Sequence, residues 1–151
     1  MLDRSDRKIL RVLQEDGRIS NLQLATRCAM SASACLERTR RLKEQGYIRG
    51  FTALLNPRLL GQPLTIFIEI LLERSNSDGL ERFREAVTAQ PRIAECYMIA
   101  GNFDFLLKIR AADMDDYRRF LHDDLGGLPG VRETRSYAVL DEVKHSTELV
   151  V

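Results

Sequence analysis

The chain has 151 residues, with 23 Lys and Arg, 22 Asp and Glu and a net charge of +1. That length holds one or two small domains that need no covalent staples. Its 3 cysteines, Cys28, Cys35 and Cys96, lack C-x-x-C spacing and point to reduced, buried thiols in a cytosolic compartment, not to a disulfide framework. No apolar leader precedes the first helical pattern, and the longest apolar run, Leu64 to Leu72, is broken by Glu69, which argues against secretion and membrane insertion.

In chain order, Asp3 to Glu15 reads as a first helix with Leu2, Ile9, Leu10 and Leu13 on its buried side. Ser20 and Gln23 have capping-box spacing, in which each side chain satisfies an orphan amide at a helix start. A second helix is therefore predicted from Ser20, with Leu22, Ala25 and Cys28 inward. Ala29-Met30-Ser31 leaves only a short turn before Ser31 caps a third helix running to Gln45. Helical pitch puts Ala32, Cys35, Leu36, Thr39 and Leu42 on its buried stripe, turns Ser33, Arg40, Arg41 and Glu44 outward, and leaves Ala34 and Arg38 on the flank. Gly46 stands where a C′ residue belongs.

Two short helices joined by a tight turn, the second with small residues at its start and arginines beyond, form the pattern of a helix-turn-helix reader of double-stranded DNA. Small residues let the helix enter the major groove, and Arg reaches base edges or phosphates. The candidate contacts are Ser20 and Asn21 at the start of the first helix of the pair and Ser31, Ser33, Arg38, Arg40 and Arg41 of the second. An ordinary helical hairpin with a solvated charged face has the same local pattern. The charge distribution favours the DNA reader: residues 1–50 hold 11 Lys and Arg against 6 Asp and Glu, a balance of +5, and residues 51–151 hold 12 against 16, a balance of −4.

Past the helices the hydrophobic period changes from helical to alternating. Tyr47 to Leu55 is β-rich and stops at Asn56-Pro57, and the stretch through Gly61-Gln62-Pro63 reads as a hinge. Then follow a strand Leu64 to Glu73, a helix of about Asp78 to Ala89 with Leu80, Phe83 and Val87 inward, and a strand Ile93 to Ala100. The chain turns at Gly101-Asn102 into a strand Phe103 to Arg110. A helix of about Asp113 to Leu125 has Met114, Tyr117, Leu121 and Leu125 inward, and Val131 to Leu140 forms the last strand. The order β-α-β-β-α-β is that of a ferredoxin-like fold. Both helices of such a unit cover one sheet face, yet Ile66, Ile68, Ile70 and Leu72 alternate with Phe67 and Leu71, and Phe103, Phe105, Leu107 and Ile109 alternate with Leu106. Strands apolar on both faces imply a homodimer with sheets packed face to face.

The runs Asn21 to Arg27, Cys35-Leu36-Glu37-Arg38-Thr39-Arg40-Arg41-Leu42, Gly46-Tyr47-Ile48, Ala53-Leu54-Leu55-Asn56-Pro57 and Gly101-Asn102-Phe103-Asp104-Phe105-Leu106-Leu107 resemble the Lrp/AsnC family of prokaryotic transcription regulators. Leu2-Asp3-Arg4-Ser5-Asp6, Glu142-Val143-Lys144 and Leu149-Val150-Val151 fit it too, so the likeness covers nearly the whole chain. The resemblance implies an α+β protein: an N-terminal three-helix winged helix-turn-helix over residues 1–50, a β-strand and hinge linker over 51–63, and a C-terminal ferredoxin-like βαββαβ domain over 64–151 that oligomerises and binds a small effector. It implies dimers assembling into tetramers, octamers or larger discs, and a cytoplasmic, nucleoid-associated regulator in a prokaryote. It also implies an effector, an amino acid such as leucine, near the turn Gly101 to Asp104, with Met98, Met114, Tyr137, Ala138 and Val139 taking part in the response.

The chemistry of such a site can be argued from the residues. A zwitterion needs donors for its carboxylate, an acceptor for its ammonium and an apolar wall for its side chain. Gly101 allows close backbone approach, Asn102 can donate and accept, Asp104 can accept from the ammonium, and Met98 and Met114 can form an adaptable wall. Gly101-Asn102 is equally the dipeptide of a two-residue type I′ hairpin, with the methionines simply core.

Departures from the family pattern cluster where the third helix begins. Ala32 and Ala34 stand where relatives often have prolines. Ala29 stands where Gly is common, at a steric cost if the turn needs positive φ. Asn102 replaces a residue that is often acidic, and the chain lacks a basic N-terminal extension and its phosphate affinity. No enzyme is expected: His122 and His145 have no nucleophile or metal ligand at suitable spacing, and no cofactor or metal is implied. The readings to be weighed are an amino-acid-responsive transcription regulator and an effector-independent architectural DNA-binding protein.

Overall fold

The structure is a computed structural model describing residues 2–73 and 77–151. It divides into two compact units, Met1–Leu54 with Lys144–Val151, and Leu55–Val143.

The first unit holds α1 (Arg4–Glu15), α2 (Asn21–Cys28) and α3 (Ala32–Glu44). All three starts are capped by side chains: Asp3 and Ser20 in capping boxes with Asp6 and Gln23, and Ser31 by accepting from the Ala34 amide. Ile9, Leu10, Val12, Leu24, Ala25, Cys28, Cys35 and Leu42 form the core. Leu22 and Leu36, both expected inward, are instead exposed, 70% and 60%. The inner face of α2 is centred on Leu24 and Cys28 and that of α3 on Cys35 and Leu42, so Leu22 and Leu36 point away.

The turn between α2 and α3 is a Schellman arrangement, with Met30 donating to the Ala25 carbonyl at 3.0 Å and Ala29 to the Thr26 carbonyl at 3.1 Å. It places Ala29 at φ 56°, ψ 51°, so an L-residue sits in the left-handed region. The same motif ends α3, where Tyr47 donates to Leu42 and Gly46 to Lys43, but there the left-handed position belongs to Gly46 at φ 77°.

Residues 47–55 do not form the expected strand. A strand's amides and carbonyls need a paired neighbour, and among the described residues none pairs with this segment. It has no regular secondary structure and is held where the Phe51 ring lies against Gly17 and below the Lys43 ammonium, 5.0 Å from the ring centre. The last eight residues, expected in the β domain, fall in this first unit instead. Leu149 and Gln14 exchange hydrogen bonds of 2.6 and 3.0 Å, and Arg11 donates to the Val151 carbonyl at 2.8 and 2.6 Å.

The second unit is a four-stranded antiparallel sheet in the order β2-β3-β1-β4, built from β1 (Leu64–Leu72), β2 (Ile93–Met98), β3 (Phe105–Ala111) and β4 (Val131–Ala138), with α4 (Ser77–Ala89) and α5 (Met114–Arg119). This is the ferredoxin-like topology. Ile66, Ile68, Ile70, Phe105, Leu107 and Ile109 pack against Phe83 and Val87 of α4 and Tyr117 and Phe120 around α5, and the Phe83 and Phe105 rings meet at 4.8 Å. A π-helical turn, Phe120–Asp124, and a short 3-10 turn, Leu125–Gly127, follow α5. The extra residue of the π turn carries the inward face from Phe120 to Leu125, so that Tyr117, Phe120 and Leu125 are buried. Met114, expected inward, is the first residue of α5 and is 52% exposed.

The sheet face away from the helices carries Phe67, Leu71, Leu106, Tyr97 and Tyr137 among Thr65, Glu69, Glu95, Lys108, Arg110, Glu133 and Arg135. It is more mixed than expected, with Lys108 paired to Glu95 at 2.9 Å and Arg110 donating to the Thr65 hydroxyl at 3.0 Å.

Ala29→Gly is expected to raise the unfolding free energy of the first unit by about 0.5–1 kcal/mol, the left-handed penalty of about 1–2 kcal/mol less the unfolded-chain entropy that glycine adds. A urea midpoint unchanged or lowered by the substitution would show that the turn bears no strain.

Candidate functional site

Two sets of residues were singled out by sequence, one in each unit. In the first unit the outward face of α3 presents Ser33, Ala34, Leu36, Glu37, Arg40, Lys43 and Glu44, all exposed. Ser31 caps the helix and its hydroxyl lies 3.2 Å from that of Ser33, so small side chains and free amides occupy the end that a groove would receive. Arg40 is paired within the helix to Glu37 and Glu44. The Arg40 hydrogen bond holds the Glu37 carboxyl below the usual carboxylate range.

The other predicted DNA contacts are engaged inside the unit. Ser20 exchanges capping hydrogen bonds with Gln23. Asn21 donates its side-chain amide to the Ala32 carbonyl at 2.8 Å, tying the start of α2 to the start of α3. Arg38 donates to Asp3 at 2.6 Å and Asp6 at 2.8 Å, and Arg41 donates to both oxygens of Asp6 at 2.9 and 3.0 Å. The Asp6 side chain is only 3% exposed. The Asp6 amide and, behind it, the Arg38 guanidinium hold the Asp3 carboxyl below its ordinary range. Sequence reading missed both aspartates. Asp3-x-x-Asp6 ahead of an apolar run has capping-box spacing, but their arginine partners lie 32 to 35 residues away.

The cysteines divide. Cys28 and Cys35 are buried and burial pushes their thiols up, which leaves them protonated and inert. Cys96, expected to be buried, is exposed on β2.

In the second unit the eight predicted effector residues fall into two groups. Met98, Gly101, Asn102 and Asp104 lie at the end of the sheet where β1 finishes and β3 begins. The connection from β2 to β3 is six residues long and Gly101 does not have positive φ, so it is not a two-residue type I′ turn. Asp104 accepts from the Leu72 amide at 2.8 Å and donates its own amide to the Ile70 carbonyl at 2.9 Å, which locks this turn onto β1. Met98 lies on the helix side of the sheet, where Arg84 of α4 approaches its sulfur at 3.5 Å. Met114, Tyr137, Ala138 and Val139 lie at the other end, and Val139 donates to the Thr65 carbonyl at 2.9 Å. Tyr137 projects from the opposite face, where burial and the Glu69 carboxylate push its phenol up.

Met98 is level with Ile70 through Phe105, and Ala138 pairs with Ile66. Four residues of strand separate the two groups by roughly 13 Å along β1 alone. The cleft beside Val139, rimmed by Arg58, Thr65, Arg110 and Glu142, has a volume of about 70 Å³, small against the roughly 300–1,000 Å³ of ligand pockets. A larger crevice of about 710 Å³ in the first unit is lined by Leu10, Leu13, Ile48, Phe51, Leu54 and Leu149. Sequence reading assigned it no role.

Residues 65–149 match the Lrp/AsnC ligand binding domain and residues 2–49 match a winged helix-turn-helix DNA-binding domain. The chain belongs to the Lrp/AsnC family. This Lrp/AsnC chain is 51% identical to the leucine-responsive regulatory proteins of Escherichia coli K12 and Klebsiella pneumoniae over 150 residues, covering 99% of it and 92% of each relative. Its fold is similar to that of a Neisseria meningitidis transcriptional regulator in complex with L-Met, at TM-score 0.95 and 37% identity, covering 99% of this chain and 97% of that one. It is also similar to an AsnC family transcriptional regulator from Agrobacterium tumefaciens, at TM-score 0.94 and 33% identity with the same coverage. It is a DNA-binding transcription regulator that responds to a small effector, not an enzyme. No described helix is long and apolar enough to cross a membrane.

The exposure of Leu36 separates its role from that of core leucines. Leu36→Ala is expected to change stability by less than about 0.5 kcal/mol, whereas Leu24→Ala, at a position 3% exposed, costs about 2–5 kcal/mol. Urea denaturation of the two variants measures the contrast, and equal losses would place Leu36 in the core.

Proposed function

We propose that this protein is a cytoplasmic, nucleoid-associated regulator whose effector is an amino acid with an apolar side chain, leucine or methionine, bound between chains. The observation that carries the reading is the division of the effector residues into two groups at opposite ends of one sheet. A small zwitterion cannot touch Met98 and Tyr137 of the same chain. It can touch both where one chain's Gly101–Asp104 turn meets another chain's Tyr137–Val139 end. The names of the relatives support the class of effector: the curated relatives are leucine-responsive, and the Neisseria regulator was solved with L-Met.

The basic unit of this assembly is a homodimer, joined through the sheet face that neither helix covers. Phe67, Leu71 and Leu106 supply apolar contact there, and the charged pairs at its margin supply register. A two-fold dimer carries two α3 helices, suited to major-groove half-sites about 34 Å apart. Further association into tetramers and octamers creates the junctions at which the effector binds. The effector then acts through its different affinity for two states of assembly.

A panel of the twenty amino acids tested by thermal denaturation discriminates this from an effector-independent architectural protein. A ligand that binds only the folded assembly stabilises it by about 2.7 kcal/mol at a hundred times its Kd. Leucine or methionine is expected to raise Tm while Asp and Lys do not. A flat panel at millimolar ligand would favour the architectural reading.

A further inference from the structure

We infer that Asp6 is a positioning residue for DNA recognition: its buried carboxylate sets the orientation of α3 through Arg38 and Arg41. These two arginines then act on DNA through the helix they hold, not by touching bases or phosphates. The inference rests on α3 being the helix that meets DNA.

The apolar packing of α3 is narrow. Of its thirteen residues only Cys35 and Leu42 are buried. Hydrophobic contact is non-directional, so two side chains on one stripe leave the helix free to roll about its axis. Directional bonds remove that freedom, and α3 has two such anchors. At its start the Asn21 amide grips the Ala32 carbonyl at 2.8 Å. Farther along, Arg38 and Arg41, spaced i and i+3 and so neighbours on the helix surface, converge on Asp6 through three contacts of 2.8 to 3.0 Å. Planar guanidinium against carboxylate fixes angle as well as distance.

The frame to which α3 is anchored is itself rigid. Asp6 is the third residue of α1, and its amide donates to Asp3 at 2.8 Å in the capping box that starts that helix. Asp3 accepts from Arg38 in turn at 2.6 Å. One cluster of two carboxylates and two guanidiniums thus caps α1 and aims α3. With its charges balanced, it leaves little positive field for phosphates. Exposure is graded in the same direction: the Asp6 side chain is 3% exposed, Arg38 30% and Arg41 44%, against 57% for Arg40 on the outward face. A recognition constellation tolerates misplacement of only about 0.5 Å or 10–20°, so loss of the anchor should appear as lost sequence discrimination before lost attraction to DNA.

The test uses the full chain, a duplex selected by the wild-type protein from a randomised pool, and a shuffled duplex of equal length and composition. Asp6→Asn, isosteric but uncharged, is expected to weaken binding to the selected duplex about tenfold. Affinity for the shuffled duplex and the dependence of affinity on salt should stay as in the wild type. Arg41→Gln, which leaves Arg38 on Asp6 and keeps the unit folded even if Asp6→Asn does not, is expected to lower discrimination in the same way. The double variant should be no worse than the poorer single one, because both break one anchor. A salt slope lower by about one for Arg41→Gln would mark a direct phosphate contact and overturn the inference. Wild-type discrimination in Asp6→Asn would overturn it too. If the wild type enriches no sequence from the pool, the premise that α3 reads DNA fails, and that result is distinct from either.

Discussion

Burying the Asp6 carboxylate between α1 and α3 obliges two arginines to follow it, and the arrangement of the DNA-binding unit depends on that pairing. A carboxylate with so little exposure is tolerated only if its charge is matched and its lone pairs are occupied. Arg38 and Arg41 supply both, and α3 is thereby fixed against α1 at one angle. The outward face of α3 is what remains: Ser33, Ala34, Leu36, Glu37 and Arg40, a mixture of small, apolar and charged groups that can reach a groove. The stability of the unit and the aim of its recognition helix therefore share residues. The turn into α3 adds a strained point to the same region, because Ala29 occupies a conformation that glycine adopts without cost.

The second unit answers to a different constraint. A β-α-β-β-α-β chain places both helices on one face of the sheet, and the core residues of β1 and β3 meet α4 and α5 there. The opposite face keeps Phe67, Leu71 and Leu106 among charged cross-strand pairs. The antiparallel order also sends the Gly101–Asp104 loop and the Tyr137–Val139 segment to opposite ends. In the proposed assembly a small effector that answers to both draws on two chains, and sensing and assembly become one equilibrium.

Much of this was legible in the sequence where the signal is local. The Ser20-Gln23 capping box, the Ser31 cap and Gly46 as C′ residue stand as read, because each depends on a few adjacent residues. The positive φ that would make Ala29 costly in the turn is present. Strand order followed from the alternation of periods along the chain. What was not legible depends on distant partners. Leu22 and Leu36 satisfy a helical period, but the position of α1 decides which face is inside. The ion pairs of Arg38 and Arg41 with Asp3 and Asp6, more than thirty residues earlier, carry no local signal. Met114 fits the helical stripe of Tyr117 but opens the helix, where it is exposed, and the π-helical turn at Phe120–Asp124 moves the stripe beyond it from Leu121 to Phe120 and Leu125. Tyr47–Leu55 has strand composition, but no described strand pairs with it. The division of the effector residues into two groups could not be read from composition or spacing, since it follows from sheet register.

Mixing two defective variants tests most directly whether the effector site is shared between chains. Met98→Arg and Tyr137→Arg are each expected to abolish the stabilisation given by leucine or methionine. Assemblies formed by refolding the two variants together should recover it in part, since some junctions then join an intact turn from one chain to an intact β4 end from another. Mixed assemblies that bind no better than either variant alone would contradict a site built from two chains.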